Sequence, residues 1–426
     1  MSVIHDLLKD VTIPSMVHIE QTFDDSKLDN VEETVIEQIN RKAIRDRIKP
    51  GMQIAITCGS RRIDNIALII RTIVQFCKEC GATPFIFPAM GSHAGSIAQG
   101  QKEICESYGV TEEYCGCEIR SSMEVVNVGL TELGVPAYVD KIASQADGII
   151  VVNKIKAHPG FSGKYESGLM KMMVIGMGKQ KGAENCHQYG FGKFPVLLES
   201  IGRKILSSVP IVCGVGIIEN AYDQTKEIHA LTPEEIPEKE PELLKIAKEN
   251  MPRLLAQRAD VLVVDRMGKD ISGSGMDSCI TGRVAGHFKE VTNFTTTRLV
   301  ALNLTPESHG SMGGVGNADV INKRIFEQGN IELTYPNSIT HTGIKADSIP
   351  MMMDTDKLAI QCAIKTCACA DLSKVEIIRI QDTLHLKNLT VSECLAKRLF
   401  GLPGIRILGK AEVWAFDESD NVINCW

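Results

Sequence analysis

Four stretches of this chain share one pattern, an unbroken apolar run followed by a short polar tail. Met52–Thr57 leads to Gly59-Ser60-Arg61, Thr83–Pro88 to Gly91-Ser92-His93, Gly148–Asn153 to Lys154-Ile155-Lys156-Ala157-His158, and Val261–Asp265 to Gly268-Lys269-Asp270. Val- and Ile-rich runs bounded by Gly and Pro, with helical stretches between them, predict strands buried in parallel sheets. Arg62–Cys80 places Ile66, Ile69, Ile70, Ile73, Val74 and Cys77 near helical period, and Gly81 stands where a C-cap glycine belongs. Met52–Pro88 is therefore a strand–helix–strand unit. A second helix is expected over Ser96–Tyr108. Thr232-Pro-Glu-Glu235 has the capping-box pattern with Pro at the first helical position. It opens an acidic stretch that runs into a helix around Glu240–Gln257.

A chain of 426 residues exceeds one ordinary core, which points to two domains. The texture changes after Asp265: Ile271–Gly275 is rich in Ser and Gly, and Arg283–Asn293 is short of core residues. The expected division is an N-terminal α/β cofactor-binding domain over 1–270, a hinge over 271–293 and a C-terminal α/β domain over 294–426. Arg298–Leu304 reads as a strand of the latter, and 411–426 as a terminal hairpin with its turn at Asp417–Asn421. The fold class is α/β, two domains on mainly parallel sheets with a cofactor crevice between them. In open α/β sheets ligands bind outside the carboxyl ends of the strands, where the polar tails fall.

Composition narrows the function. Hydrophobic content of 44% with 23% charged residues is globular, and a formal charge of −7 with no basic face argues against nucleic acid as a partner. A cleft for an anion must then be locally basic. Met1–Asp10 is mixed and acidic, and no apolar run approaches the ~20 residues needed to span a bilayer. A cytoplasmic protein without a membrane partner is expected, its 14 cysteines reduced. Only Cys77-Lys-Glu-Cys80 has the CxxC form, which is too little for a zinc ribbon.

Ordinary nucleotide signatures fail. Gly214-Val-Gly216-Ile-Ile-Glu219 has Glu where a third glycine belongs, and Ile175-Gly-Met-Gly178-Lys179-Gln180 has Gln where a P-loop needs Ser or Thr. The richest segment is Asn153–Gly190. It holds His158, Gly160-Phe-Ser162-Gly163-Lys164, Ser167-Gly168-Leu-Met-Lys171, Gly178-Lys179 and His187. Glycines let backbone N–H groups approach a phosphate, and lysines supply charge.

Gly-Ser-Arg61, Gly-Ser-His93, Lys154-x-x-x-His158, Glu166-Ser-Gly-Leu-Met-Lys171, Gly178-Lys-Gln-Lys-Gly-Ala-Glu-Asn-Cys-His187 and Gly268-Lys-Asp-Ile-Ser-Gly together resemble the nickel-dependent lactate racemase superfamily. The similarity runs from about Lys49 to Gly282 and weakly through His309. It implies a bound nickel-pincer nucleotide, a pyridinium bisthiocarboxylate mononucleotide. Lys171 would be the attachment lysine, and His187 would ligate Ni beside the cofactor's own S, C and S donors. Ser162, Gly163, Lys164, Gly178 and Lys179 would help to bind this cofactor. His93 and His158 would be the two acid/base residues flanking a small-molecule 2-hydroxy acid, with Arg61 and Lys269 binding substrate. Racemisation or epimerisation would pass hydride from substrate carbon to cofactor and back to the other face, which avoids a carbanion.

The familiar lactate racemases carry Asp-His-Thr-Arg where this chain has Cys58-Gly59-Ser60-Arg61, so the substrate and its stereocentre stay open. The roles of Arg62, Arg283, His309 and His341, and self-association, stay open too. Two alternatives keep the anionic ligand: an enzyme with an ordinary metal such as Zn or Fe at the histidines, or a non-catalytic module binding a mononucleotide or phosphorylated metabolite.

Overall fold

The structure is a computed structural model describing residues 2–284, 294–341, 343–423 and 426. It divides into two compact units, 24–251 and a second made of 1–23 with 252–426. The first strand, β1 (Met16–Gln21), belongs to the second unit. The chain then enters the 24–251 unit with β2 (Gln53–Cys58), β3 (Thr83–Pro88), the antiparallel pair β4 (Val125–Leu130) and β5 (Pro136–Asp140), then β6 (Gly148–Lys154), β7 (Ile211–Glu219) and β8 (Thr225–Leu231). Its main sheet has the order β3-β2-β6-β7-β8, all parallel except β8.

The helix between β2 and β3 spans Ile66–Glu79 and buries the expected row Ile66, Ile69, Ile70, Ile73, Val74 and Cys77. These pack with Ile54, Ile56, Val152 and Val215 of the sheet, as apolar residues on a helix stripe must. The capping box is present: Glu235 N donates to Thr232 Oγ1 at 3.3 Å and Thr232 N to Glu235 Oε2 at 2.9 Å. The helix it opens is Ile236–Asn250, one turn earlier than expected.

The second unit carries β9 (Arg258–Val264), β10 (Thr295–Ala301), β11 (Val320–Asn322), β12 (Met351–Met353), β13 (Ile377–Ile380), β14 (Asn388–Ser392) and β15 (Ile405–Ile407). With β1 they form an eight-stranded sheet, β12-β11-β10-β9-β13-β14-β1-β15. The first five are parallel, and the last three are joined by antiparallel pairing. Leu262 and Val264 face one core, Val261 and Val263 the other, so the period of two leaves both faces covered.

This division differs from a boundary at 271–293. β9 is hydrogen-bonded to β10 on one side and β13 on the other, which places it inside the second unit's sheet. Met276 and Ile280, at the start of the expected hinge, are buried in that unit's core, and 285–293 lie outside the described residues. The terminal hairpin is reduced to a bridge between Phe416 and Val422 around the turn, and residues 424–425 lie outside the described set.

Candidate active site

β2, β3, β6 and β7 are mutually parallel neighbours, so the loops bearing Arg61, His93 and His158 leave the sheet at one edge. Ser60 Oγ is hydrogen-bonded to His93 Nδ1, and the Tyr108 hydroxyl donates to Ser60 O at 3.0 Å. The His93 loop is held from below. Gln101 Nε2 donates to Gly91 O at 3.0 Å and to His93 O at 3.2 Å. Gly91 has φ +59°, and a Cβ there would lie 3.3 Å from Ile175 O, so the left-handed backbone and the close approach to the segment after Lys171 both favour glycine.

His158 is half-buried. Its backbone N–H donates to Glu166 Oε2 at 2.8 Å, and its Nδ1 accepts from Gly160 N–H at 2.9 Å. The proton of the neutral ring therefore sits on Nε2. Burial, then the charges of Lys171 and Lys156, then His187 and Arg61, hold this imidazole well below its ordinary value. Glu166 is buried and also accepts from Gly163 N at 3.3 Å and Lys248 Nζ at 2.6 Å.

Lys171 ends the short helix Leu169–Lys171 and opens into a π-helical turn, Met172–Gly176, a feature that often marks functional sites. Burial, with Arg61 and Lys156 adding positive charge, lowers its amine to about 7, against a small opposing effect of Cys186. Glu240 caps the start of this helix, accepting Met170 N–H at 3.0 Å. A Cβ on Gly168 would lie 2.1 Å from Glu240 Oε1, so only glycine admits the carboxyl. Burial pushes Glu240 up to about 8, against the Met170 and Leu169 N–H bonds that lower it.

His187 ends the helix Lys179–His187. An aromatic file joins it to His158: ring centroids are 4.3 Å apart for His158–Phe161, 4.7 Å for Phe161–Phe194 and 5.0 Å for Phe194–His187. Arg61, His93, His158, Lys171 and His187 thus all belong to the 24–251 unit, and four of them interact electrostatically.

Other expected residues stand elsewhere. Lys179 is fully buried and points inward: its Nζ donates to Pro88 O and to Gln101 Oε1 at 3.3 Å, and pairs with Asp140 at 3.2 Å. It is a strut under the His93 loop, not a surface charge for a phosphate. Gly178 packs against Val174 O, which a Cβ would approach to 2.3 Å. Lys164 is exposed and pairs with Glu199 at 3.2 Å, and Ser162 is exposed beside Gly163. Lys154 is paired with Glu219 and Asp223. Arg62 is exposed. Lys269 and His309 belong to the second unit, where both are exposed, and Arg283 there pairs with Asp319 at 2.5 Å. The side chain of His341 lies outside the described residues.

Sequence reading quoted Lys156 and Glu166 within motifs without giving either a role, and it missed Glu240 and Lys248. Lys156 had a signal, since it stands two residues before His158 in an extended segment. Its backbone pairs with Ser167 through bonds of 2.9 and 3.2 Å. Glu240 and Lys248 had none, being brought to the site only by the fold. Among the described residues no group of three or more His, Cys, Asp or Glu side chains is placed to hold a metal ion, and no helix is long and apolar enough to cross a membrane.

The fold and this edge define an α/β protein with a cationic, histidine-lined site on its 24–251 unit. Residues 7–193, which include Arg61, both acid/base candidates, Lys171 and His187, match the model of the lactate racemase N-terminal domain. The fold is similar to the lactate racemase apoprotein of Thermoanaerobacterium thermosaccharolyticum, with TM-score 0.51, 13% identity, and coverage of 87% of this chain and 99% of that one. No curated protein matches the chain. The domain match covers residues 7–193, and what the chain shares with that lactate racemase is an α/β fold on mainly parallel sheets.

Proposed function

We propose that this chain is a racemase or epimerase of a 2-hydroxy acid that works with a nickel-pincer nucleotide. The observation that carries the reading is the Lys171 amine, lowered to about 7 by burial and by the charges of Arg61 and Lys156, within electrostatic reach of His158. An amine that is substantially neutral near pH 7 is a nucleophile suited to covalent attachment. The residues fit the group: Lys171 would anchor it, and His187 would supply one imidazole to a metal whose other donors come with the cofactor. When bound, that cofactor would supply reversible acceptance of hydride from the substrate carbon.

The remaining work falls to the chain. Arg61 offers a fork for the substrate carboxylate. His93 is hydrogen-bonded through Nδ1 to Ser60 Oγ, and in the tautomer that carries its proton on Nδ1 it would present Nε2 as the base for the hydroxyl proton. His158 presents Nε2–H as a donor to the substrate oxygen; taking a proton there requires the Gly160 bond at Nδ1 to open. The two histidines therefore differ in readiness. Replacing either with Ala in the cofactor-loaded chain should lower racemisation of a turned-over 2-hydroxy acid by about 10²- to 10⁴-fold and leave nickel content unchanged. Nickel lost from the His93 variant contradicts this assignment.

A further inference from the structure

The second unit carries its own cluster at the carboxyl edge of its parallel strands. β9 and β13 are paired with Val264 opposite Ile380, so Arg266 and Asp382 emerge side by side. Arg266 N donates to Gln381 O at 3.1 Å, and Asp277 N to Thr383 Oγ1 at 3.0 Å, which ties the two loops together. Asp382 is completely buried. Its Oδ1 accepts from Leu384 N at 2.9 Å, His385 N at 3.1 Å and His385 Nδ1 at 2.7 Å, and its Oδ2 accepts from Arg266 Nε at 2.9 Å. A buried carboxylate needs such donors to remain charged.

Two backbone N–H groups alone would make this an ordinary Asx turn. Here an imidazole and a guanidinium are mounted on the same carboxylate and remain accessible, His385 57% and Arg266 40% exposed. With Nδ1–H given to Asp382, the neutral His385 presents Nε2 as an acceptor. Arg266 gives only Nε, and its two terminal nitrogens have no acceptor among the described residues. An acceptor nitrogen and a guanidinium fork mounted on one carboxylate are complementary to a hydroxyl and an oxyanion on the same small molecule.

We propose that Arg266 and His385, both oriented by Asp382, form a binding subsite for a hydroxyl-bearing anion, either a 2-hydroxycarboxylate or a ribose phosphate. The hydroxyl donates to His385 Nε2, and the oxyanion accepts from the Arg266 fork. The test is NMR of the full chain with ¹⁵N-labelled histidine, the His385 signals being assigned by loss in His385→Gln. Lactate, ribose 5-phosphate and, as the anion without a hydroxyl, acetate are titrated separately. A saturable shift of His385 Nε2 with lactate identifies a carboxylate ligand, and one with ribose 5-phosphate a phosphate ligand. Either should weaken about tenfold or more in Arg266→Met, and in Arg266→Lys, which keeps the charge, should Met prevent folding. No shift with either hydroxyl-bearing probe, equal affinity for acetate, or unchanged affinity in the Arg266 variants overturns the proposal. No nickel or cofactor is needed, so the result stands apart from the function proposed above.

Discussion

Glu240 accepts the backbone N–H of Met170 at 3.0 Å, one residue before Lys171. The same helix, Ile236–Asn250, carries Lys248, which holds Glu166 beneath His158, and Pro237 O, which accepts the Tyr165 hydroxyl at 2.8 Å. One helix thus supports the segment between His158 and Lys171 at two points. Placement of catalytic groups to within fractions of an ångström depends on such supports.

Glu240 gives a stability signature with a definite sign. Its folded value, about 8, lies above the unfolded carboxyl value of 4.5, so the folded state binds the extra proton between those limits. The carboxyl's contribution is complete below pH 4.5 and is lost as pH rises through 8. The melting temperature of Glu240→Gln, relative to the parent, should therefore increase steadily from pH 5 to 8. A pH-independent difference contradicts the buried, uncompensated carboxyl.

Lys171 moves oppositely. Its folded value of about 7 lies below the ordinary lysine value of 10.5, so its contribution to stability rises with pH between the two. Competitive acetylation of the cofactor-free chain, read by peptide mass spectrometry, should place the Lys171 midpoint near pH 7, against ~10.4 for exposed lysines. Arg61→Met removes a neighbouring charge and should raise that midpoint. A midpoint matching the exposed lysines removes the basis for a primed amine.

Glu166→Ala leaves the His158 and Gly163 N–H groups without their acceptor and releases the partly exposed Lys248 to solvent. Urea unfolding should show a loss of about 1–3 kcal/mol, mainly from the two amides.

Lys179→Met should behave as a core lesion and not as a ligand-binding one. It strands the buried Asp140 carboxyl and removes the donor to Pro88 O and Gln101, at a cost of about 3 kcal/mol or more. Asp140→Asn added to it should recover part of the loss. Full stability in the single variant, measured by denaturant, contradicts the strut.

The contrast between Lys171 and Lys179 shows what the sequence carries. Apolar runs ending at Thr57, Pro88 and Asn153 gave three strands that end at Cys58, Pro88 and Lys154, and with them their shared edge, because buried parallel strands leave a clear pattern. Proximity in a Gly/Lys-rich segment does not say which way a lysine points: Lys171 stays with the histidines, while Lys179 turns into the interior. The Ser- and Gly-rich stretch after Asp265 read as a hinge for a similar reason. Its glycines serve close packing, since a Cβ on Gly275, at φ +72°, would come within 2.3 Å of Gly313 O. Glu240 and Lys248, about 70 to 80 residues beyond the segment they hold, were illegible because only tertiary structure brings them back.

Metal content and intact mass should be measured together, on chain co-produced with the enzymes that make the cofactor. The expected result is near-stoichiometric nickel by plasma mass spectrometry, lost in His187→Ala, and an added mass on the Lys171 peptide, absent in Lys171→Arg. Nickel held equally by the His187 variant, or neither nickel nor added mass in the parent chain, would contradict it.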